Sequence, residues 1–296
     1  MIGPVARRAL RKRFLVQPVR RRMRRSALAR QLRSTALTSI DVVERSLRRR
    51  NGLAPPRRLR GVGAGDFRSV GDALLKQMVD VGGLRRDARV VDIGCGSGRV
   101  VIPLMGYLRE GSYEGFDIAP EMIDWCRENI TARVPRFGFS LIDVSNTHYN
   151  PDGALAADAV RFPYPDGEFD FALATSLFTH LLPAGFVNYA QETARVLAPG
   201  GTLFGTFCLI DDESLPRVRR GEARIDLRHR MRDPANGIAY RAVDSRSPET
   251  AVGLDAPFVM QSLADAGLTV TAVHPGLWSG RSSGLSYQDV VIARRR

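Results

Sequence analysis

Cysteine is scarce: Cys95, Cys126 and Cys208 are the only three in 296 residues. An odd number without metal-ligand spacing argues against a disulfide framework or a zinc site, and the thiols read as reduced, as in a cytoplasmic chain. Lysine is scarcer still. It occurs only as Lys12 and Lys76, after Arg11 and Leu75, so the Gly-Lys-Ser/Thr of a phosphate-cradling loop is missing. No uninterrupted apolar run is long enough to span a bilayer, and no internal repeat is evident. Acid is nearly missing from residues 1–60, where 19 Arg or Lys face only Asp41 and Glu44. That segment carries +17 of a chain total of +13, which leaves the other 236 residues at −4. The high isoelectric point therefore belongs to an extension and says nothing about a cleft elsewhere.

Within the extension Leu28, Leu32, Ala36, Ile40, Val43 and Leu47 recur at helical intervals, with Arg30, Arg33, Arg45, Arg48 and Arg49 between them. This pattern predicts a basic amphipathic helix in a partly disordered segment. Such a helix suits an anionic bilayer, where each basic residue near the surface contributes about 1 kcal/mol. It equally suits nucleic-acid phosphates, or plain packing on the rest of the chain. An organellar transit peptide ranks last, because Arg-rich blocks continue to Arg60 without a cleavage signal.

What is present is concentrated in Val90 to Arg99, V-V-D-I-G-C-G-S-G-R. A β-branched run reads as a buried strand, alternating glycines permit a tight turn, and V-V-I-P-L-M-G-Y-L restarts with helical spacing. Strand, glycine loop and helix bring backbone N–H groups near a ligand. The dinucleotide fingerprint G-x-G-x-x-G fails, because Arg99 stands where the third glycine belongs. A second unit follows. Tyr113 to Ile118 reads as a strand ending in Asp117, about 20 residues after the glycines, where a carboxylate can accept ribose hydroxyls. The alternative for Asp117 is a helix N-cap before A-P-E-M-I-D-W-C.

The spelling D-x-G-x-G-x-G, with Asp92 two residues before Gly94, resembles motif I of the class I S-adenosylmethionine-dependent methyltransferases. From Gly61 onward the chain is similar to a bacterial group of methyltransferase-domain proteins, through G-F-D-I-A-P-E-M-I-D-W-C, Y-N-P-D-G, R-F-P-Y-P-D-G-E-F-D and T-S-L-F-T-H-L-L-P. The resemblance implies an α/β fold: a Rossmann-like seven-stranded, mostly parallel sheet with an antiparallel last strand and helices on both faces. It also implies S-adenosyl-L-methionine as cofactor, held by Asp92, Gly94, Cys95, Gly96, Ser97, Gly98, Asp117, Ile118, Asp143, Val144 and Ser176. Asp143 is the first choice for the adenine amino group and Asp158 its rival. Residues 61–296 form the expected domain behind the 1–60 extension, with 211–254 as an insertion or lid that composition reads as a loop. S-N-T-H-Y-N-P-D-G looks inserted.

Motif I accepts many small residues, so Cys95 reads as a packing residue and not as a nucleophile. A hydroxyl acceptor must lose a proton, and histidine is the base suited to neutral pH. His180 follows the fourth strand and is the first candidate, against a packing role, while His148 and Tyr149 stand behind it. The Asp/Asn/Ser-Pro-Pro-aromatic sequence of base N-methylation is missing after strand four, and strand four offers no acidic metal ligand. Asp211, Asp212 and Glu213 read as a helix start or cleft lining, and Trp278 with Arg281 as an interface or a substrate wall. No metal is expected. The expected acceptor is a small molecule, glycan or glycolipid, methylated at the inner membrane face, with RNA methylation or cofactor binding without turnover as alternatives.

Overall fold

The computed structural model describes residues 53–60 and 65–296. The predicted helix over residues 28–49 lies outside them. Of the first segment the structure defines one 3-10 turn, Arg57–Leu59, beside which the Arg60 Nε–H donates to the Pro55 carbonyl at 2.8 Å.

The second segment begins with α1 (Phe67–Asp80), whose N-cap Asp66 accepts from the Ser69 N–H. Five further helices and eleven strands follow, the strands building two sheets. In the larger one, β1 (Arg89–Ile93), β2 (Ser112–Asp117), β3 (Phe137–Leu141), β4 (Phe169–Ala174) and β5 (Leu197–Phe207) run parallel. Between them lie α2 (Val101–Tyr107), α3 (Pro120–Cys126) and α4 (Pro183–Val196). The strand order is β10-β11-β5-β4-β1-β2-β3, with β10 (Leu268–His274) at the edge and β11 (Asp289–Arg295) antiparallel to both neighbours. The sheet has the expected strand count and the expected single antiparallel member.

Its consequence is topological. The chain winds outward from β1 to β3, then returns to lay β4 on the other side of β1, so the strand order reverses between β1 and β4. Open α/β sheets bind ligands outside the carboxyl ends of the strands at such a point. The core behind it is aromatic: Phe178 stacks on Phe207 with centroids 4.7 Å apart, and Phe186 meets both edge-on.

Residues 211–254 are not the loop that composition predicted. After β6 (Leu209–Ile210) and α5 (Ser214–Arg220) come β7 (His229–Arg232), β8 (Ala239–Ala242) and β9 (Val252–Asp255), before α6 (Ala256–Asp265). They form a second sheet ordered β6-β9-β8-β7. Strands of two to four residues are too short to register as a period of two, although in β8 Tyr240 and Ala242 do point into the main core. The buried Asp289 joins the sheets: its carboxylate accepts from the Leu209 and Gly276 N–H groups and from the Trp278 indole at 2.6–2.8 Å. Arg281 lies 3.7 Å from it and is paired with Asp211 at 2.7 Å. Trp278 and Arg281 are thus structural, and Asp211 starts α5 by accepting from the Ser214 N–H. Removing a buried charge that satisfies three donors is costly. Asp289→Ala is expected to lower unfolding free energy by about 3–5 kcal/mol in a denaturant titration, with Asp289→Asn between it and wild type.

Candidate functional site

The glycine loop closes over the tip of β2. The Gly94 and Cys95 N–H groups both donate to the Phe116 carbonyl, at 2.9 and 3.0 Å. One residue on, the Gly96 N–H donates to Asp117 Oδ2 at 2.8 Å while the Ala119 N–H donates to Oδ1 at 2.9 Å. Asp117 therefore clasps the loop to the start of α3, which joins its two predicted positions, strand tip and helix start. Glycine is required at 98, where φ is +79° and a methyl would lie 2.8 Å from Val101 and 2.9 Å from Ile130. Gly96 differs: φ is +55°, and the nearest atom to an added methyl is Met122 Sδ at 3.9 Å. Its open side can admit a ligand against bare backbone.

Two carboxylates stand beneath this loop with no side-chain cation paired to either among the described residues. Asp92 is 1% exposed and accepts from the Tyr113 hydroxyl at 2.7 Å through Oδ2, while its buried Oδ1 has no partner. Burial, with the charge of Asp117, pushes the Asp92 carboxyl up to about 7 despite that hydrogen bond. Burial also raises Asp117, opposed by its backbone donors. Cys95 and Cys126 line the same floor, each 3.7–3.8 Å from the Gly96 carbonyl, and burial raises both thiols, which keeps them protonated.

The remaining expected cofactor residues divide. Ser97 is buried in the loop, Ile118 is half-buried against the core, and Val144 lies within the core. Asp143 is exposed and employed by the inserted segment: its carboxylate accepts from the Asn150 side chain at 3.0 Å and the Ala154 N–H at 3.2 Å. The Asp158 side chain is exposed and makes no hydrogen bond to another described residue. Ser176 carries φ of +57°, the one positive φ outside glycine among the described residues. Its N–H donates to Thr206 Oγ1 at 2.7 Å, and both hydroxyls donate to Gln288 Oε1.

Beyond β4 the three expected acid–base residues come together. His148 and Tyr149 meet edge-on at 4.6 Å between centroids, and Tyr149 meets His180 edge-on at 5.2 Å. Asn146 organises the row: Oδ1 accepts from the N–H groups of His148 and Tyr149, and Nδ2 donates to the His180 carbonyl. His180 Nδ1 lies 2.8 Å from the Glu249 carbonyl, which can only accept, so the proton sits on Nδ1 and Nε2 keeps a lone pair. Burial lowers the affinity of the ring for a second proton, and His148 adds to this. Tyr149 is raised to about 12 by desolvation and then by the charge of Asp117, which ties this row electrically to the loop side. Asn146, Glu249, Thr206 and Gln288 escaped sequence reasoning. An Asx-turn in S-N-T-H was the one local signal available, since Glu249 and Gln288 lie far along the chain.

A family model described as a methyltransferase domain matches residues 91–205. The chain is 30% identical over 118 residues to a demethylmenaquinone methyltransferase of Deinococcus radiodurans, covering 39% of this chain and 41% of that protein. It is 31% identical over 113 residues to a fatty-acid O-methyltransferase of Mycolicibacterium smegmatis, covering 38% and 34%. The matches span less than half the length of these relatives. A crystal structure of a protein from Pyrococcus horikoshii shares the fold, with a TM-score of 0.52 and 17% identity over 80% of this chain and 94% of that one.

The Asp92 carboxyl sets a pH dependence. Its folded value near 7 exceeds the ordinary aspartate value of 3.8 expected in the unfolded chain, so the folded state holds the proton more tightly and stability falls as pH rises between them. From pH 4 to 7 this group alone is expected to remove on the order of 4 kcal/mol, read as a sloping denaturation midpoint that Asp92→Asn flattens.

Proposed function

We propose that this chain, which belongs to the class I S-adenosylmethionine-dependent methyltransferase superfamily, transfers the cofactor's methyl group to a hydroxyl of a small-molecule, glycan or glycolipid acceptor. The observation that carries the choice of oxygen is His180, whose Nδ1 is committed to the Glu249 carbonyl and whose Nε2 is left as a base. The residues of the loop fit the cofactor: an open face at Gly96, an orphaned buried Asp92 Oδ1 suited to a cationic amino group, and Asp117 at the β2 tip. In this reading Asp92 and Ser97 face the amino-acid portion and Asp117 with Ile118 the ribose. Asp143 and Asp158 remain the two choices for adenine, and the existing bonds of Asp143 favour Asp158.

When bound, S-adenosylmethionine supplies a methyl on a sulfonium, already a good leaving group. The protein's work is then orientation in a dry pocket and removal of one proton. His180 Nε2 takes the proton of the acceptor hydroxyl as the new carbon–oxygen bond forms, and the lowered proton affinity of the ring keeps it free at neutral pH. Tyr149, exposed at 39% beside His180, offers the acceptor an aromatic wall. We read residues 61–296 as the domain that does this, with 211–254 as a folded part of it and 1–60 as an extension that holds it on anionic membrane. No helix among the described residues is long and apolar enough to cross a membrane.

Two variants separate the roles. Asp117→Ala is expected to abolish S-adenosylmethionine binding in calorimetry. His180→Ala should bind normally yet lose about 10²- to 10⁴-fold in methyl transfer. Turnover is followed with methyl-labelled cofactor on separate lipid, glycan and RNA fractions, and label confined to RNA overturns the acceptor class.

A further inference from the structure

The second sheet delivers a turn to the proposed base. The 3-10 turn Pro248–Thr250 immediately precedes β9, and its middle residue, Glu249, is only 7% exposed. We propose that Glu249 is a positioning residue of the acceptor pocket: its main-chain carbonyl holds the His180 proton on Nδ1, and its carboxylate fastens the Thr147–Tyr149 segment beside that ring. The inference rests on reading His180 as the base.

Glu249 acts at both ends. The carbonyl lies 2.8 Å from His180 Nδ1, and Oε2 accepts the Thr147 N–H at 2.6 Å. A buried carboxylate is costly unless it is bonded, and Glu249 has no cation partner among the described residues, so its return is local order and not an ion pair. Flanking hydroxyls extend the clasp. Thr250 Oγ1 lies 3.5 Å from His148 Nδ1 and donates to Ser247 Oγ at 3.3 Å, while Ser247 Oγ lies 3.5 Å from Thr147 Oγ1. One turn thus reaches His180, Thr147 and His148 together, from a segment about 70 residues beyond the base in sequence. The consequence is chemical: if the turn is displaced, Nδ1 loses its acceptor, the proton can migrate to Nε2, and the lone pair no longer faces the substrate side. Tyr149 loses its register in the same displacement, because its ring packs on His180 and its N–H on Asn146.

The test uses the full chain labelled with 15N-histidine and saturated with S-adenosylhomocysteine. Long-range 1H–15N spectra report which ring nitrogen of His180 carries the proton, and hydrogen exchange reports residues 147–149. Wild type is expected to give the Nδ1–H tautomer alone. Glu249→Ala should mix the two tautomers and speed exchange at Thr147 about tenfold or more, the worth of a hydrogen bond to a charged group. Glu249→Gln, whose side-chain carbonyl can still accept from Thr147, should restore the wild-type pattern. An Nε2–H tautomer in wild type overturns the proposal, as does Glu249→Ala with spectrum and exchange unchanged, or Glu249→Gln behaving as alanine. If Glu249→Ala does not fold, the wild-type spectrum and the glutamine variant decide. Failure of the functional reading is a separate result, seen as His180→Ala keeping wild-type methyl transfer, or as wild type not binding S-adenosylhomocysteine, while the tautomer is still read.

Discussion

Two desolvated carboxylates share the floor of the glycine loop, and no side-chain cation is paired with either among the described residues. Asp92 and Asp117 each resist ionisation because water is excluded, and the charge of Asp117 raises Asp92 further. A protein that needed only a loop could have satisfied those backbone N–H groups with neutral acceptors. Carboxylates are worth their cost where a cation is to arrive, and a sulfonium with an amino group is such a ligand. The rest of the loop follows from this. Tyr113 occupies one oxygen of Asp92, which leaves Oδ1 buried without a hydrogen-bond partner among the described residues. Asp117 accepts one backbone N–H on each oxygen, from Gly96 and Ala119, which fastens the loop and leaves each oxygen a further lone pair.

The proposed acceptor side is built on a different principle. Its residues come from the segment after β3, the turn after β4 and the second sheet, and they are held by hydrogen bonds between loops, not by a strand-to-helix motif. Asn146 and Glu249 each join two of these pieces, and Gln288 ties the turn after β4 to β5. Such an arrangement lets the strand-to-helix loop stay fixed while the residues of these connecting segments vary. It also explains why His148, Tyr149 and His180 meet edge-on in one row although they come from two separated segments.

The difference determines what could be read from sequence. Strands β1 to β5, the pair β10 and β11, and the position of Asp117 at the β2 tip were legible because period, glycine spacing and strand-tip chemistry are local. The fold of residues 211–254 was not, since strands of two to four residues leave no periodicity. Within it, Tyr240 and Ala242 reach the main core while Arg241 stays outside, an alternation two residues deep. Glu249 was invisible for another reason: its role depends on a carbonyl, which every residue has, arriving beside a histidine. Asp143 illustrates the converse. Its position after β3 suggested a ligand, but the Asn150 side chain and the Ala154 N–H already use its carboxylate, because the inserted segment must close on something polar.

Ser176 links the two halves. A left-handed serine costs about 1–3 kcal/mol and persists only where its surroundings over-determine it. Here Thr206 holds its N–H from β5, and Gln288 accepts from both hydroxyls just before β11. The Gln288 amide lies 3.4 Å from Thr179 Oγ1, and that hydroxyl donates back to the Ser176 carbonyl. The kink turns the chain sharply at the end of β4. Leu177 is thereby laid on the loop, with Cδ1 3.0 Å from where a methyl on Gly94 would stand. Three residues later the same turn delivers His180 to Asn146 and Glu249. One strained residue therefore sets both how tightly the cofactor loop is covered and where the proposed base stands. A larger residue at 94 would push on Leu177 and, through this turn, on His180, so the glycine in the motif constrains the proposed acceptor side as well as its own loop.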